Sequence, residues 1–347
     1  MSEEFTVAPG GEIRVDKSSV IIRVETTERR SLSRRFVVSL LSMSLLFNLW
    51  LLLAFSSVSG LSPEELPEAF VDGTEGSESR IAVIRVSGMI SPPYTERWIE
   101  RIRSAAKDVT VRGVVLEIDS PGGFVADSHQ LHHEIQKLAA EKTVFVSMKR
   151  LAASGGYYIA VAPGAGSRIF AEPTSWTGSI GVIIARYNAT ELAEKAGVKV
   201  EPLVTGPLKD TLNPFRDMTQ QETEVWDAIL ADSFDRFVGV IDEGRENLDE
   251  AAIRTLATGQ IYTAAQAIDN GLVDQIGYLE DVLQALAEKL QLSEWEAFEY
   301  QTTPSFLEAI VGIRSQPPSM TEQFLRSTVP APMYFASWNP LPLQQSW

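Results

Sequence analysis

The sequence predicts an α/β fold with a mainly parallel sheet, preceded by one transmembrane helix. Three observations support this. β-rich runs alternate with segments of helical spacing between residues 81 and 290, which is typical of βαβ units. Val111–Ile118 is almost continuously apolar, as in a strand covered on both faces. Phe36–Phe55 contains no charged residue over its whole length.

Composition excludes several classes of function. The chain has 347 residues and a net charge of −16, which argues against broad nucleic-acid binding. It contains no cysteine, so a disulfide framework, a cysteine nucleophile and a thiolate metal site are excluded. We expect no nucleic-acid partner, no metal and no cofactor.

The N-terminal region predicts a membrane anchor. Residues 1–35 are polar and irregular, and they end in a basic cluster. The apolar run at residues 36–55 has the length that crosses the roughly 30 Å hydrocarbon layer. Basic residues before it predict a single-pass cell-membrane protein with a cytoplasmic N-terminus and an extracytoplasmic body. A cleaved signal peptide is the alternative, although this run exceeds the length usual for a signal-peptide core.

The remaining chain divides into a linker, a globular domain and a tail. Residues 56–80 are rich in Ser, Gly, Glu and Pro and indicate a linker. Residues 81–300 form the predicted domain. Its strands are predicted at 81–86, 111–118, 143–148, 168–171, 177–183, 198–204 and 272–276, and its helices at 98–106, 126–140, 155–162, 248–256 and 279–290, with a long helix after Thr219 and a short one after Thr263. Residues 301–347 form a tail rich in proline and aromatic residues, whose partner (the domain, a neighbouring subunit or the membrane surface) the sequence leaves open.

Ser154 is the candidate nucleophile. It lies in RLAASGGYYIA, residues 150–160, where two glycines follow it and allow a ligand to approach the backbone closely. A serine hydroxyl needs a base to become a nucleophile. The histidines, His129, His132 and His133, share one face of a predicted helix. That spacing favours a polar helix face over a metal site, and chain order alone does not exclude a histidine triad.

Lysine is the other available base, and it acts only when neutral, which burial and nearby dipoles favour. Lys195 and Lys199 have charged neighbours, as surface lysines do. Lys209 follows Thr-Gly-Pro-Leu in a predicted loop that is otherwise poor in positive charge. Residue context alone does not choose between a solvated loop lysine and a catalytic base.

Two glycine sites are candidates for the oxyanion hole, which requires backbone N–H groups without an obstructing side chain. Gly122-Gly123 follows a predicted strand, and Gly155 directly follows Ser154. Taken alone, Pro-Gly-Gly is better explained as a simple strand-to-helix turn, because such turns are common.

Four blocks together resemble the SppA family of signal peptide peptidases, which are membrane-anchored Ser/Lys serine proteases distantly similar in fold to ClpP and the crotonases. The resemblance covers about residues 81–290. The blocks are GVVLEIDSPGG at 113–123, AASGGYYIA at 152–160, TGSIGVI at 177–183 and AQAIDNGLVDQIG at 265–277.

The resemblance implies a role for each candidate residue. Ser154 is the nucleophile, Lys209 is the general base, and Ser179 orients the lysine amine. Gly123 and Gly155 supply the oxyanion N–H groups. The implied fold consists of repeated ββα units of the ClpP/crotonase kind.

The resemblance also implies partners and a reaction. We expect a homo-oligomer that binds extended peptides by strand addition and is attached to the membrane through residues 36–55. The expected activity is a serine endopeptidase that degrades remnant signal peptides or other membrane-proximal peptides through an acyl-enzyme. The alternatives are a catalytically silent membrane scaffold of the same fold and a crotonase-like acyl-CoA enzyme.

Overall fold

The computed structural model describes residues 11–14, 23–26, 30–59, 66–301 and 333–335, with side chains for 35–52, 66–301 and 333–334. The chain separates into two compact units, Met1–Glu64 and Glu65–Trp347.

The first unit contains a short antiparallel strand pair and one long helix. Strands β1 (Gly11–Arg14) and β2 (Arg23–Thr26) pair with each other, in a region that the sequence predicts to be irregular. Helix α1 spans Arg30–Ser59. Its segment Arg35–Leu52 is long and apolar enough to cross a membrane, and none of it is buried. Length and composition fit the anchor predicted at 36–55 and equally fit a signal sequence.

The second unit is built on a nine-stranded sheet. The strands of the main path are β3 (Glu68–Gly73), β4 (Arg80–Ser87), β5 (Val111–Ser120), β7 (Thr143–Ala153), β9 (Trp176–Gly178), β10 (Ile261–Thr263) and β12 (Glu296–Tyr300). The sheet order is β10-β9-β7-β5-β4-β12-β3, and β8 (Ile169–Ala171) pairs with β7 and with β11 (Gln275–Ile276). The β9–β10 and β3–β12 pairs are antiparallel and the others are parallel, so the prediction of a mainly parallel α/β sheet is confirmed.

The described part of the second unit also contains eight helices. They are α2 (Tyr94–Lys107), α3 (Val125–Glu141), α4 (Gly155–Ala160), α5 (Thr190–Lys195), α6 (Gln220–Gly244), α7 (Glu250–Leu256), α8 (Ala264–Asp269) and α9 (Leu279–Lys289). A capping box of Thr219 and Glu222 begins α6, as the sequence predicts.

The sheet has an apolar core on each face. Val114 and Val115 are both completely buried, and they belong to opposite cores because successive side chains of a strand point to opposite faces. The larger core includes Trp98 of α2 and Leu131 of α3, whereas the smaller core includes Leu283 of α9. Each such side chain contributes roughly 1.5–3 kcal/mol when it is fully buried. Burial of both faces explains the continuous apolar run in β5.

The parallel arrangement sets the position of the candidate site. In the register of β5 and β7, Ser120 lies opposite Ala152. The carboxyl ends of these two strands are therefore adjacent, which is where ligands bind in open parallel sheets. Strand β5 leads through Pro121 into Gly122-Gly123, and β7 leads through Ala153 into Ser154 and Gly155.

Several predictions are wrong. The predicted linker at 56–80 includes β3, which is hydrogen-bonded to β12 in the sheet. The predicted strand at 198–204 is irregular and exposed, and it pairs with no strand among the described residues. The strand predicted at 177–183 ends at Gly178, and the strand predicted at 272–276 is reduced to two residues.

Candidate active site

Ser154 occupies a strained turn between β7 and α4. Its backbone angles are φ 56° and ψ −115°, a conformation that costs a non-glycine residue about 1–3 kcal/mol. The amide of Ser154 donates to the carbonyl of Gly178 at 2.7 Å, and its carbonyl accepts from the amide of Tyr158 at 2.8 Å. These two bonds hold the backbone of the turn from both sides.

The hydroxyl of Ser154 is buried and unpartnered. The residue is 1% exposed, and its Oγ has no hydrogen-bond partner among the described residues. An unsatisfied buried hydroxyl costs about 1–3 kcal/mol. Strain and desolvation at one serine are features that cluster at functional sites.

The predicted oxyanion glycines lie beside Ser154. Strand β6 (Gly122–Phe124) follows β5, and Gly122 has φ +97°. A Cβ atom on Gly122 would lie 2.6 Å from the amide nitrogen of Gly155, and one on Gly155 would lie 3.1 Å from the amide nitrogen of Gly123. The structure thus brings the two predicted N–H sources, Gly123 and Gly155, close together. A side chain on Gly122 or on Gly155 would collide with its neighbours there.

Ser179 is connected to Ser154 through the backbone. It follows β9, has φ 51° and is 9% exposed. Its amide donates to the carbonyl of Gln260 at 2.7 Å. Because Ser154 is bonded to Gly178, the residue before Ser179, the two serines belong to one hydrogen-bonded unit.

Lys209 is not brought into this unit. It is exposed, and its amide donates to the carbonyl of Gly206 at 3.1 Å in a turn. Within the described parts of the chain, its amine makes no hydrogen bond or ion pair, either with Ser154 or with any other group. The pairing of Ser154 with Lys209 therefore stays a prediction.

The segment that follows Lys209 is anchored by a residue that sequence reasoning missed. Arg216 binds Asp210 at 2.9 Å and the buried Glu222 at 2.5 Å. The hydrogen bond from Arg216 is the main cause that lowers the pKa of Glu222 to about 2. The signal in the sequence is the acidic residue at the third position of the capping box, for which a nearby arginine is a natural partner.

A piece of the tail runs through the site. Strand β13 (Met333–Phe335) pairs antiparallel with β6. On its other side, Met333 exchanges two backbone hydrogen bonds with Ile183, at 3.0 and 3.1 Å. An extended segment is thus held by its backbone between β6 and the chain that follows Ser179.

The side chain of Tyr334 fills a closed aromatic pocket. It is completely buried, its hydroxyl donates to the carbonyl of Ser233 at 2.8 Å, and its ring centroid lies 4.9 Å from Tyr158 and 4.7 Å from Phe237. The carbonyl oxygen of Tyr334 would lie 2.1 Å from a Cβ on Gly122. The sequence left open whether the tail packs on the domain, on a neighbouring subunit or on the membrane surface. Residues 333–335 of the tail pack on the domain.

The histidines do not serve Ser154. His132 is buried, and burial is the main cause that lowers its pKa to about 4, whereas His129 and His133 are exposed. The prediction that all three histidines lie on one polar helix face is therefore only partly correct, because His132 is buried. Nδ1 of His129 lies 2.8 Å from the hydroxyl of Tyr158. Among the residues searched, which are the described ones, no group of three acidic or histidine side chains is suited to a metal ion.

Comparison with known proteins gives consistent matches. Residues 136–293 match the family described as Peptidase family S49, a range that includes Ser154, Ser179 and Lys209. A candidate signal peptide peptidase SppA of Enterococcus faecium is 36% identical over 255 residues, covering 69% of this chain and 73% of that protein. A candidate protease of Synechocystis sp. is 34% identical over 208 residues, covering 60% and 73%. A chloroplastic serine protease SPPA of Arabidopsis thaliana is 32% identical over 232 residues, which are 63% of this chain and 34% of that longer protein.

Proposed function

Since the chain belongs to peptidase family S49, the SppA family, and is a protease of that family, we propose that it is a membrane-anchored serine endopeptidase that uses Ser154 and Lys209. One observation carries the assignment of the nucleophile. The Oγ of Ser154 is buried in a strained turn beside Gly155 and close to Gly123, and it has no partner among the residues that the structure describes.

The reaction is acyl-enzyme hydrolysis. Neutral Lys209 accepts the proton of Ser154 as Oγ attacks the peptide carbonyl, and the amides of Gly123 and Gly155 hold the oxyanion. The lysine then gives its proton to the departing amine, the C–N bond breaks and the acyl-enzyme remains. A water molecule then gives a proton to the Lys209 amine as it attacks the ester carbonyl, the C–O bond to Ser154 breaks, and the lysine returns that proton to Oγ. The carboxylic acid leaves and the serine hydroxyl is restored. Ser179 orients the amine throughout.

Assembly of several copies brings the lysine to the serine. Lys209 is exposed in one chain, and the segment around it carries exposed apolar side chains, namely those of Tyr187, Leu192, Val198, Val200, Leu203 and Phe215. Exposed apolar groups concentrated in one segment are typical of an interaction surface. A second copy is the partner that we propose, and its Lys209 completes the site of the first copy.

The substrate is an extended peptide close to the membrane. Strand β13 supports this mode of binding, since its backbone is paired on both sides beside Ser154. Helix α1 anchors the chain through residues 36–55, with the N-terminus in the cytoplasm and the peptidase domain outside. Remnant signal peptides and other membrane-proximal peptides are the substrates within its reach.

Active-site labelling tests the assignment. A fluorophosphonate probe should label the wild-type chain and fail to label Ser154→Ala. Lys209→Ala should lose peptidase activity while keeping the thermal midpoint of the wild type. Lys199→Ala, which changes an exposed lysine ten positions earlier, is the matched control and should stay active. Labelling that persists in Ser154→Ala would disprove the nucleophile.

A further inference from the structure

Ser128 is a second buried hydroxyl at the site, and neither the family resemblance nor the mechanism above uses it. It lies in the first turns of α3, directly after the oxyanion strand β6. The residue is 0% exposed, and among the described residues its Oγ has no hydrogen-bond partner. A serine in a helix often bonds the carbonyl four residues earlier, so this orphan hydroxyl is unusual.

The position of Ser128 relates it to the oxyanion glycines. A Cβ atom on Gly155 would lie 2.6 Å from Oγ of Ser128 and 3.1 Å from the amide nitrogen of Gly123. The Ser128 hydroxyl and the Gly123 amide therefore both lie close to the side of Gly155 where a side chain would stand. Ser154, whose hydroxyl is the other orphan at this site, is the residue immediately before Gly155.

We propose that Ser128 is a further catalytic residue, whose hydroxyl donates a third hydrogen bond to the oxyanion formed on the substrate carbonyl. This inference rests on the proposed function of Ser154. An O–H group that has no partner within the described part of the chain is available when negative charge develops beside it, and the donor needs no reorganisation at that moment. The cost of leaving this hydroxyl unsatisfied in the folded chain is offset by a gain that is realised only during the reaction.

The alternative role for Ser128 is packing alone, as a small residue against Gly155. The two roles make opposite predictions for Ser128→Ala, which removes the oxygen and keeps the β-carbon. A packing role leaves the turnover unchanged. A donor role lowers the turnover, and the variant is at least as stable as the wild type because an unsatisfied buried group has been removed.

Steady-state and probe kinetics test the proposal on the full-length chain. Ser128→Ala should lower kcat about 10- to 100-fold, by analogy with the removal of one oxyanion donor, with KM within twofold and the thermal midpoint not lowered. Its phosphonylation rate with a fluorophosphonate should fall in parallel. In that step the Ser154 oxygen bonds to phosphorus, fluoride leaves, and the phosphoryl oxygen enters the oxyanion site.

A control variant tests whether the fall in kcat is specific to Ser128 or follows from the removal of any buried serine hydroxyl. Ser147→Ala removes a serine that is equally buried in β7 and should leave kcat unchanged. A kcat within twofold of wild type in Ser128→Ala overturns the proposal, and so does a loss confined to KM or accompanied by a lowered thermal midpoint. Failure of the proposed function is seen separately, because the probe would then label Ser154→Ala.

Discussion

The amide of Ser154 donates a 2.7 Å hydrogen bond to the carbonyl of Gly178, the residue directly before Ser179. Both serines have positive φ, and this bond connects the turn after β7 with the turn after β9. The register of β7 and β9 continues up to it, with Ala153 opposite Gly178. The relative position of the two hydroxyls is therefore set by the sheet, and a change at Gly178 should disturb both.

Gly178→Ala is expected to destabilise the chain and to reduce probe labelling of Ser154. Gly178 has φ +86°, and an added Cβ would lie 2.5 Å from the ring of Tyr262 and 2.9 Å from the carbonyl of Gln260. The free energy of unfolding should fall by more than about 1 kcal/mol, because alanine at positive φ is strained even without a clash. Urea unfolding and the labelling rate measure the two effects. Gly164→Ala, at φ +69° with open space around it, controls for strain alone and should label normally.

Ser179→Ala is expected to lower kcat with little change in KM. Ser179 is buried within the unit that holds Ser154, and we propose that it positions the lysine amine. Misplacement of a catalytic group by about 1 Å can cost up to about 100-fold in rate. Ser179→Thr, which keeps the hydroxyl, should recover part of the lost rate. Equal rates for the alanine variant and the wild type would remove Ser179 from the mechanism.

Mixed assemblies should reveal where the lysine comes from. Ser154→Ala and Lys209→Ala chains are each expected to be inactive alone. If a neighbouring subunit supplies Lys209, co-assembly of the two variants creates sites with an intact serine and an intact lysine, and peptidase activity returns. The mixture is assayed after joint reconstitution, with separately reconstituted and then mixed samples as the control. Persistent inactivity of the co-assembled sample would show that each serine depends on its own chain's lysine.

The sequence predicts the centre of the fold better than its edges. Strands β4, β5 and β7 are apolar runs between helices, so local pattern was sufficient for them. Strand β3 was missed because its partner β12 lies more than 200 residues away along the chain, and neither has a strong pattern of its own. The strand predicted at 198–204 is wrong for a different reason. Val198 and Val200 alternate with polar residues as in a strand, but no described strand pairs with this segment.

The site residues that could be predicted are those that lie next to glycine-rich turns in the sequence. Gly123 and Gly155 border strand ends, and the structure brings them together. Tyr334 was not predictable as part of the site, because β13 is three residues long within a proline-rich segment. Its place depends on tertiary pairing with β6 and on the aromatic pocket around Tyr158, neither of which has a local signature.

The Arg216–Glu222 pair should make stability fall with acid. The folded pKa of Glu222 is about 2, below its ordinary value of 4.5. A depressed pKa means that the contribution to stability is complete above about pH 4.5 and is lost as the pH falls toward 2. Arg216→Gln should therefore differ most from wild type at neutral pH, and the difference should shrink toward pH 2.

Urea midpoints at pH 7, 4.5, 3 and 2 test this expectation. Arg254→Gln is the control, because Arg254 pairs with the exposed Asp235 and Glu250, and such surface pairs contribute little to stability. The role assigned to the Arg216–Glu222 pair would be contradicted if the urea midpoints of the wild type and Arg216→Gln differed by the same amount at all four pH values.

Tyr334→Ala is expected to lower KM for an extended peptide. Strand β13 occupies the backbone positions along β6 that we propose for a substrate, so the tail and the substrate compete. Removal of the Tyr334 ring empties the pocket beside Phe237 and weakens the hold on the tail, and a peptide then enters more easily. Tyr334→Phe keeps the ring and removes only its bond to the Ser233 carbonyl, so its KM should stay close to that of wild type. Hydrogen exchange at residues 122–124 gives an independent measure, since their amides should exchange faster in the alanine variant until peptide is added. An unchanged KM together with faster exchange would mean that peptides bind elsewhere than along β6.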